Sequence, residues 1–319
     1  MIRTVRLFLA LCLLGATPPA AAAEGTALKG RVVRALSVDA ADPYRLLAGI
    51  KGKAAGSGKV FESRDGGRRW SPLNGGRPLA APATDVQAVA YGPDGHVLAG
   101  TWKNGLFLSR DGGARFEAQA SFPSKDIRDL RAVPDDPSVI YAATGRDGLF
   151  KSEDGGLQWR SLGQKGTFFW SLTLSPSGDA VYAVSLQKKV LRSRDGGGSW
   201  ETVFDRENAY ALAIAPGDER SLALATEKGL YLSSDGGATW RLSSDLSQAK
   251  LSSLAWVTAD RLYVGSWDGG VFLLDPAGRE ARHLLPEVPV VHLAPSRGLL
   301  LVGTWGRGLR RIEVSDTTP

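Results

Sequence analysis

The chain has 319 residues, with 39 Lys and Arg against 33 Asp and Glu, a formal net charge of +6, one Cys and one Met. Its cations are scattered among acids, so no concentrated basic footprint for nucleic acid is present. A lone Cys excludes an internal disulfide framework.

The first expected element is an export signal. Arg3 and Arg6 open the chain, Leu7 to Leu14 forms a short apolar run, and Ala21-Ala22-Ala23 places small residues before Glu24, which are the three parts of a secretory signal peptide. Cys12 does not read as a lipoprotein anchor, because the bulky Leu11 precedes it and Leu13-Leu14 continue the apolar run. Cleavage after Ala23 removes 23 of the 319 residues and leaves 296, and the loss of Arg3 and Arg6 lowers the charge to +4. No later stretch offers the ~18 apolar residues of a membrane-spanning helix. Residues 1–23 are therefore expected to be a signal peptide, and residues 24–319 one domain in the periplasm or outside the cell.

That domain is built on a repeat. The phrase Ser-x-Asp-Gly-Gly-x-x-Trp begins at Ser63, Ser109, Ser152, Ser193 and Ser233, with Phe116 replacing Trp in the second copy. Its aspartates, Asp65, Asp111, Asp154, Asp195 and Asp235, are separated by 46, 43, 41 and 40 residues, and Asp275 follows after another 40 in a degraded copy. A period of this length marks a repeat architecture. Each period divides into four short apolar runs, illustrated by Val86 to Tyr91, His96 to Thr101, Leu106 to Ser109 and Ala114 to Ala118, with Gly, Pro and Asp between them. Such runs read as antiparallel hairpins.

First strands are expected near Val33, Val86, Ile127, Phe169, Ala209, Leu251 and Val288. The fold class is all-β: a seven-bladed β-propeller of four-stranded antiparallel blades. The last repeat stops after its third strand, Leu309 to Val314, and the segment Gly25 to Arg31 is the expected donor of the missing outer strand. The ring is thus closed by an N-terminal strand, and a monomeric ring is expected.

The repeated phrase falls on the turn from third to fourth strand. Asp accepts hydrogen bonds from its own turn and Gly supplies positive φ, so the five aspartates read as structural. The closing Trp is expected to cover the turn and meet a neighbouring blade.

The phrase resembles the Asp-box, or BNR repeat, of sialidases, sortilin-type receptors, xyloglucan-cleaving glycosidases and photosystem II stability and assembly factors. A single seven-bladed ring behind a signal peptide is most similar in layout to the assembly factors and their non-photosynthetic bacterial relatives. That resemblance implies a protein-binding or scaffolding role. With the face described next, the expected function is non-enzymatic binding of a partner, an envelope protein or assembly client, or else a polysaccharide. No nucleic acid is expected as a partner.

The binding face is expected opposite the Asp-box turns. Turns from second to third strand there begin with Lys51, Trp102, Arg146, Leu186, Glu227, Trp267 and Trp305, followed by Lys103, Lys188, Asp268 and Arg307. A ring just inside the first strands comprises Arg34, Gln87, Arg128, Trp170, Tyr210, Ser252 and Pro289, and links between blades add Phe122, Lys165, Phe168 and Arg206. Trp and Arg dominate recognition surfaces, and flat rings also stack on sugars. The candidate ligand-binding residues are Arg34, Lys51, Trp102, Lys103, Arg128, Arg146, Trp170, Tyr210, Trp267, Trp305 and Arg307, unless the indoles are wedged between blades.

The alternative is a sialidase-like or other glycoside hydrolase. It would need Arg34, Arg128 and Arg146 to converge and Tyr210 to stand beside Glu227. Asp129, Glu227, Asp268 and Glu287 are the carboxylates available for ordinary glycoside chemistry. The Arg-Ile-Pro phrase that opens sialidases is absent. His96, His283 and His292 lie in different repeats without ligand spacing, so no metal or cofactor is expected.

Overall fold

Short apolar runs broken by Gly, Pro and Asp favour tight antiparallel pairing, and they form seven four-stranded sheets. The computed structural model describes residues 23–24, 28–52, 58–79, 85–275 and 281–314. The expected signal peptide, residues 1–23, lies outside them apart from Ala23. No helix among the described residues is long and apolar enough to cross a membrane.

The sheets are the blades of a seven-bladed β-propeller. Their innermost strands are Val32–Val38, Asp85–Tyr91, Ile127–Ala132, Phe169–Leu174, Ala209–Ala215, Leu251–Thr258 and Val290–Ser296. Blade 2 shows the pattern: Asp85–Tyr91 pairs with Val97–Trp102, which pairs with Gly105–Ser109, which pairs with Glu117–Ala118, all antiparallel. Turns from third to fourth strand therefore lie at one face of the disc, and turns from second to third strand at the other.

Both ends of the chain build the last blade. Ala23 pairs with Arg311 and Glu24 with Arg310. The donor is N-terminal, as expected, but lies at Ala23–Glu24 rather than within Gly25 to Arg31. Residues 25–27 lie outside the described residues. Beyond them the Arg31 N–H bonds the Leu28 carbonyl at 3.1 Å and Gly30 has φ of 69°, so this stretch turns and cannot continue as a strand. Leu28 is instead buried in the core.

Each blade buries both faces. The core is divided among the seven blade-to-blade interfaces, from Leu47, Val60, Val86 and Phe107 between blades 1 and 2 to Ile50, Phe61, Ala294 and Leu301 between blades 7 and 1. Second strands approach the next blade closely: a Cβ on Gly100 would lie 2.4 Å from Ile127 Cγ2. Any larger residue there overpacks the interface.

The repeated turn behaves as a structural device. Ser109 Oγ donates to Asp111 Oδ1 at 2.6 Å and accepts the Gly113 N–H at 2.8 Å, while Asp111 Oδ1 accepts the Arg115 N–H at 3.0 Å. The other four copies repeat the Ser–Asp and Gly–Ser bonds. The second glycine is required twice over in blade 2: Gly113 has φ of 89°, and a Cβ there would meet Leu73 at 2.5 Å. Partial burial works against ionisation of Asp65, but hydrogen bonds from Arg69, Ser63 and Arg68 outweigh it and hold its carboxyl at about 2. Hydrogen bonds, first from the Ser199 N–H, likewise lower Asp195, and the Thr239 hydroxyl lowers Asp235.

The closing aromatics cover these turns. Trp70, Trp159 and Trp240 each donate the indole N–H to the carbonyl of the second glycine at 3.1 Å. Trp159 meets Phe122 edge-on at 5.2 Å in the interface between blades 2 and 3. Chain-saturated turns of this kind fix the ring.

Candidate functional site

The opposite face is shaped by two local devices. In the first, a buried Thr ends the second strand and pins the following turn. Thr101 Oγ1 donates to the Gly105 carbonyl at 2.7 Å, and Thr304 Oγ1 to the Gly308 carbonyl at 2.6 Å. The next residue is the last of the strand or the first beyond it. Trp102 and Trp305 occupy that place and are 41% and 40% exposed. Trp267, which follows Ser266, is half-buried. The indoles are displayed rather than wedged between sheets.

The second device is a bulge in every inner strand. Register shifts at Val33/Ala35, Val86/Ala88, Ile127/Asp129, Phe169/Ser171, Ala209/Ala211, Leu251/Ser253 and Val290/His292 leave one extra residue in each. These residues are Arg34, Gln87, Arg128, Trp170, Tyr210, Ser252 and Val291, and all seven line the central cavity. A bulge re-aims a side chain, so the ring is displayed toward the channel. Pro289 was expected to be its blade 7 member. It precedes the strand instead, where its carbonyl accepts the Trp305 N–H at 2.9 Å, and Val291 takes the place.

The two devices meet at the edge shared by blades 7 and 1. The Arg34 guanidinium lies 4.5 Å from the Trp305 ring centroid and Lys51 Nζ 4.8 Å from it. Trp267 meets Trp305 edge-on at 6.4 Å and also lines the cavity. Lys103 Nζ lies 4.3 Å from the Trp102 ring. Cations over indole faces hold the rings in place while leaving their edges to solvent. Arg128 bonds Asp126 at 2.8 Å and stacks on Phe168 at 4.6 Å. Burial pushes the Arg34 guanidinium below its ordinary range, with Asp85 opposing and Arg128 reinforcing the shift.

The cavity has a volume of about 690 Å³. Below the ring its wall is tied together across blades. Asp129 Oδ2 accepts the Leu172 N–H at 2.9 Å and pairs with Arg131 at 3.1 Å, and Ser253 Oγ accepts the Leu293 N–H at 2.9 Å. At the far end Arg45 bridges Asp39 at 2.9 Å and Glu62 at 3.0 Å, under the Tyr91 ring.

His292 lines the cavity. Burial, reinforced by Arg131, pushes its imidazole down from 6.5 to about 3. The unfolded chain binds this proton near pH 6.5 and the folded chain only near 3, so folding stability is lost as pH falls through that window. His292→Gln is expected to flatten the stability curve between pH 7 and about 4.5, measured by urea unfolding at both pH values. An unchanged difference would place the proton on His292 in the folded chain.

Lys103, Arg146 and Arg307 are exposed on this face, Lys51, Arg128, Trp170 and Tyr210 are half-buried, and none of Lys51, Arg146 and Arg307 lines the cavity. The three arginines of the hydrolase alternative do not gather there: Arg34 and Arg128 line the cavity, and Arg146 stands outside its wall. Glu227 raises the Tyr210 phenol after burial does, but Glu227 itself is held by the Asn208 side chain at 3.1 Å. Of the four carboxylates, Asp129 alone lines the cavity and Arg131 engages it. Among the described residues no group of three or more His, Cys, Asp or Glu could hold a metal.

Arg45, Arg131 and Trp256 also line the cavity and were missed. Arg131, two residues beyond Asp129 on an inner strand, was the one of these with a usable signal.

No family model matches this sequence, and no curated protein matches it. Solved structures do. YCF48 from Cyanidioschyzon merolae is similar with a TM-score of 0.71 and 13% identity, covering 91% of this chain and 97% of that one. YCF48 bound to a D1 peptide gives 0.73 and 16%, covering 95% and 98%. Sqt1 from Chaetomium thermophilum gives 0.62 and 17%, covering 91% and 83%. At such identities the likeness establishes a shared fold.

Proposed function

We propose that this protein is an exported, non-enzymatic Asp-box propeller that binds a segment of another envelope protein on the face opposite its Ser-Asp-Gly-Gly turns. The observation that carries the reading is the pair of devices on that face: pinned turns that display Trp102 and Trp305, and seven bulges that aim a ring of differing side chains into a cavity of about 690 Å³. The repeats are alike where they hold the ring together and differ where they face the channel. Aromatic anchors beside cations are the composition of a recognition surface.

Two further observations support it. YCF48, whose fold this chain shares, takes a D1 peptide. The basic start, apolar run and Ala21-Ala22-Ala23 ahead of Glu24 support export to the periplasm.

Site-specific photocrosslinking tests the reading. A photoreactive side chain is placed in turn at the exposed positions Lys103 and Arg307, and on the other face at the exposed positions Arg68 and Thr239. One polypeptide is expected to be labelled from the first pair and not from the second. Equal labelling from both faces, or label transferred to a glycan alone, would overturn it.

A further inference from the structure

Read around the channel, the bulge ring is not uniform. Arg34, Gln87 and Arg128 form a polar, cationic arc over blades 1 to 3, and Trp170 and Tyr210 form an aromatic arc over blades 4 and 5. Ser252 and Val291 complete the circle.

The arc's polar atoms are under-used. Arg34 Nε, Arg128 Nε and Ser252 Oγ are buried without a hydrogen-bond partner, and so are Arg45 Nε and Trp256 Nε1 deeper in the same cavity. Ser252 is only 5% exposed and Trp256 only 8%. Four of these five atoms can only donate. Two of the wall's three carboxylates are committed: Asp39 takes the Ala41 N–H and Arg45, and Asp129 takes the Leu130 and Leu172 N–H groups and Arg131. Asp94, the remaining wall carboxylate, is exposed.

The charges point the same way. Among the described residues Arg34 has no carboxylate at salt-bridge distance. Asp85, which acts on it electrostatically, also lies 3.9 Å from Lys51. Arg128 reaches Asp126 through Nη2 alone. Buried donors without partners are rare and costly, and they mark where an acceptor belongs.

We infer that the channel throat is a carboxylate site, with Arg34, Gln87 and Arg128 holding the carboxylate and Trp170 and Tyr210 taking a flat or apolar group attached to it. A planar carboxylate suits guanidinium donors, which present N–H groups in a fixed fork. The carboxylate can come from the end of a polypeptide or from a free small acid. The inference rests on the reading of this face as the binding face, and it adds the chemistry of what enters the channel.

The test is titration of the purified chain, followed by tryptophan fluorescence and calorimetry, with three probes. These are a short peptide ending in phenylalanine with a free carboxylate, the same peptide amidated, and 3-phenylpropionate. The free-acid peptide or 3-phenylpropionate is expected to bind saturably, and amidation to weaken the peptide at least about tenfold. Tighter binding of the peptide identifies a chain end as the source, and equal binding identifies a small acid; both support the site.

Gln87→Glu places a carboxylate between the two guanidiniums. It is expected to abolish binding of the acids while raising the unfolding midpoint, a combination that misfolding cannot produce. Arg34→Gln is expected to weaken the acids without that rise. Equal affinity for acid and amide, no saturable acid binding below about 10 mM, or unchanged binding by Gln87→Glu would overturn the inference. Partner crosslinking from Lys103 and Arg307 without acid binding would sink this site alone. Acid binding without such crosslinking would sink the protein-partner reading alone.

Discussion

Replacing Trp267 and Trp305 together by Ala is expected to weaken partner binding at least about 30-fold, or ~2 kcal/mol, with little change in the unfolding midpoint. The two rings meet at 6.4 Å, and Trp305 is 40% exposed while carrying Arg34 on its face and Lys51 nearby. Neither indole belongs to a core cluster between blades, so its removal leaves those interfaces packed. Its loss also frees both cations to move. Calorimetric titration against the crosslinked partner, with thermal unfolding in parallel, measures both quantities. A fall in unfolding temperature that accounts for the lost binding would show the indoles to be structural.

Glu62→Ala is expected to do the reverse, lowering folding stability by about 3 kcal/mol while leaving binding at the opposite mouth unchanged. Glu62 is 6% exposed and accepts from Arg45 at 3.0 Å, Arg64 at 2.7 Å and the Tyr91 hydroxyl at 3.3 Å. Truncation leaves the Tyr91 hydroxyl without this acceptor and Arg45 with Asp39 alone. Breaking one side of a buried ion pair costs more than the pair contributes, because the remaining charge stays desolvated. Urea unfolding measures the loss, and a change below about 1 kcal/mol would show that water replaces the carboxylate. Together the two experiments separate the end of the channel that stabilises the ring from the end that recognises a partner.

The blades were legible in the sequence because their signals are local. Gly92-Pro-Asp-Gly95 and Ser109 to Phe116 each fix a turn by their own φ preferences and side-chain bonds, and the strands between them follow within about a residue. Ring closure was legible as a need for a fourth strand, but its position was not. Pairing at Ala23–Glu24 depends on Arg310 and Arg311 at the far end of the chain, and the turn at Leu28 to Gly30 gives no strong local signal.

The candidate site was legible to a similar depth. Trp102, Trp267 and Trp305 follow from one rule, the residue after the Thr or Ser that ends a second strand. Six of the seven ring positions follow from the start of the first strand, and the seventh fails because Pro289 shifts that start. The bulges that aim the ring are properties of pairing between strands and have no residue signature of their own. The network at the far end was invisible for the same reason: Arg45, Glu62 and Tyr91 come from three strands or loops and meet only when blades 1 and 2 are assembled.

Hydrogen–deuterium exchange of the ring with and without its partner locates the binding face. Exchange is expected to slow in residues 102–105, 267–270 and 305–308 and at the bulges of the inner strands, with the turns at 65–70, 111–116 and 235–240 unchanged. Protection confined to those Ser-Asp-Gly-Gly turns, with the opposite mouth exchanging as in the free chain, would contradict it.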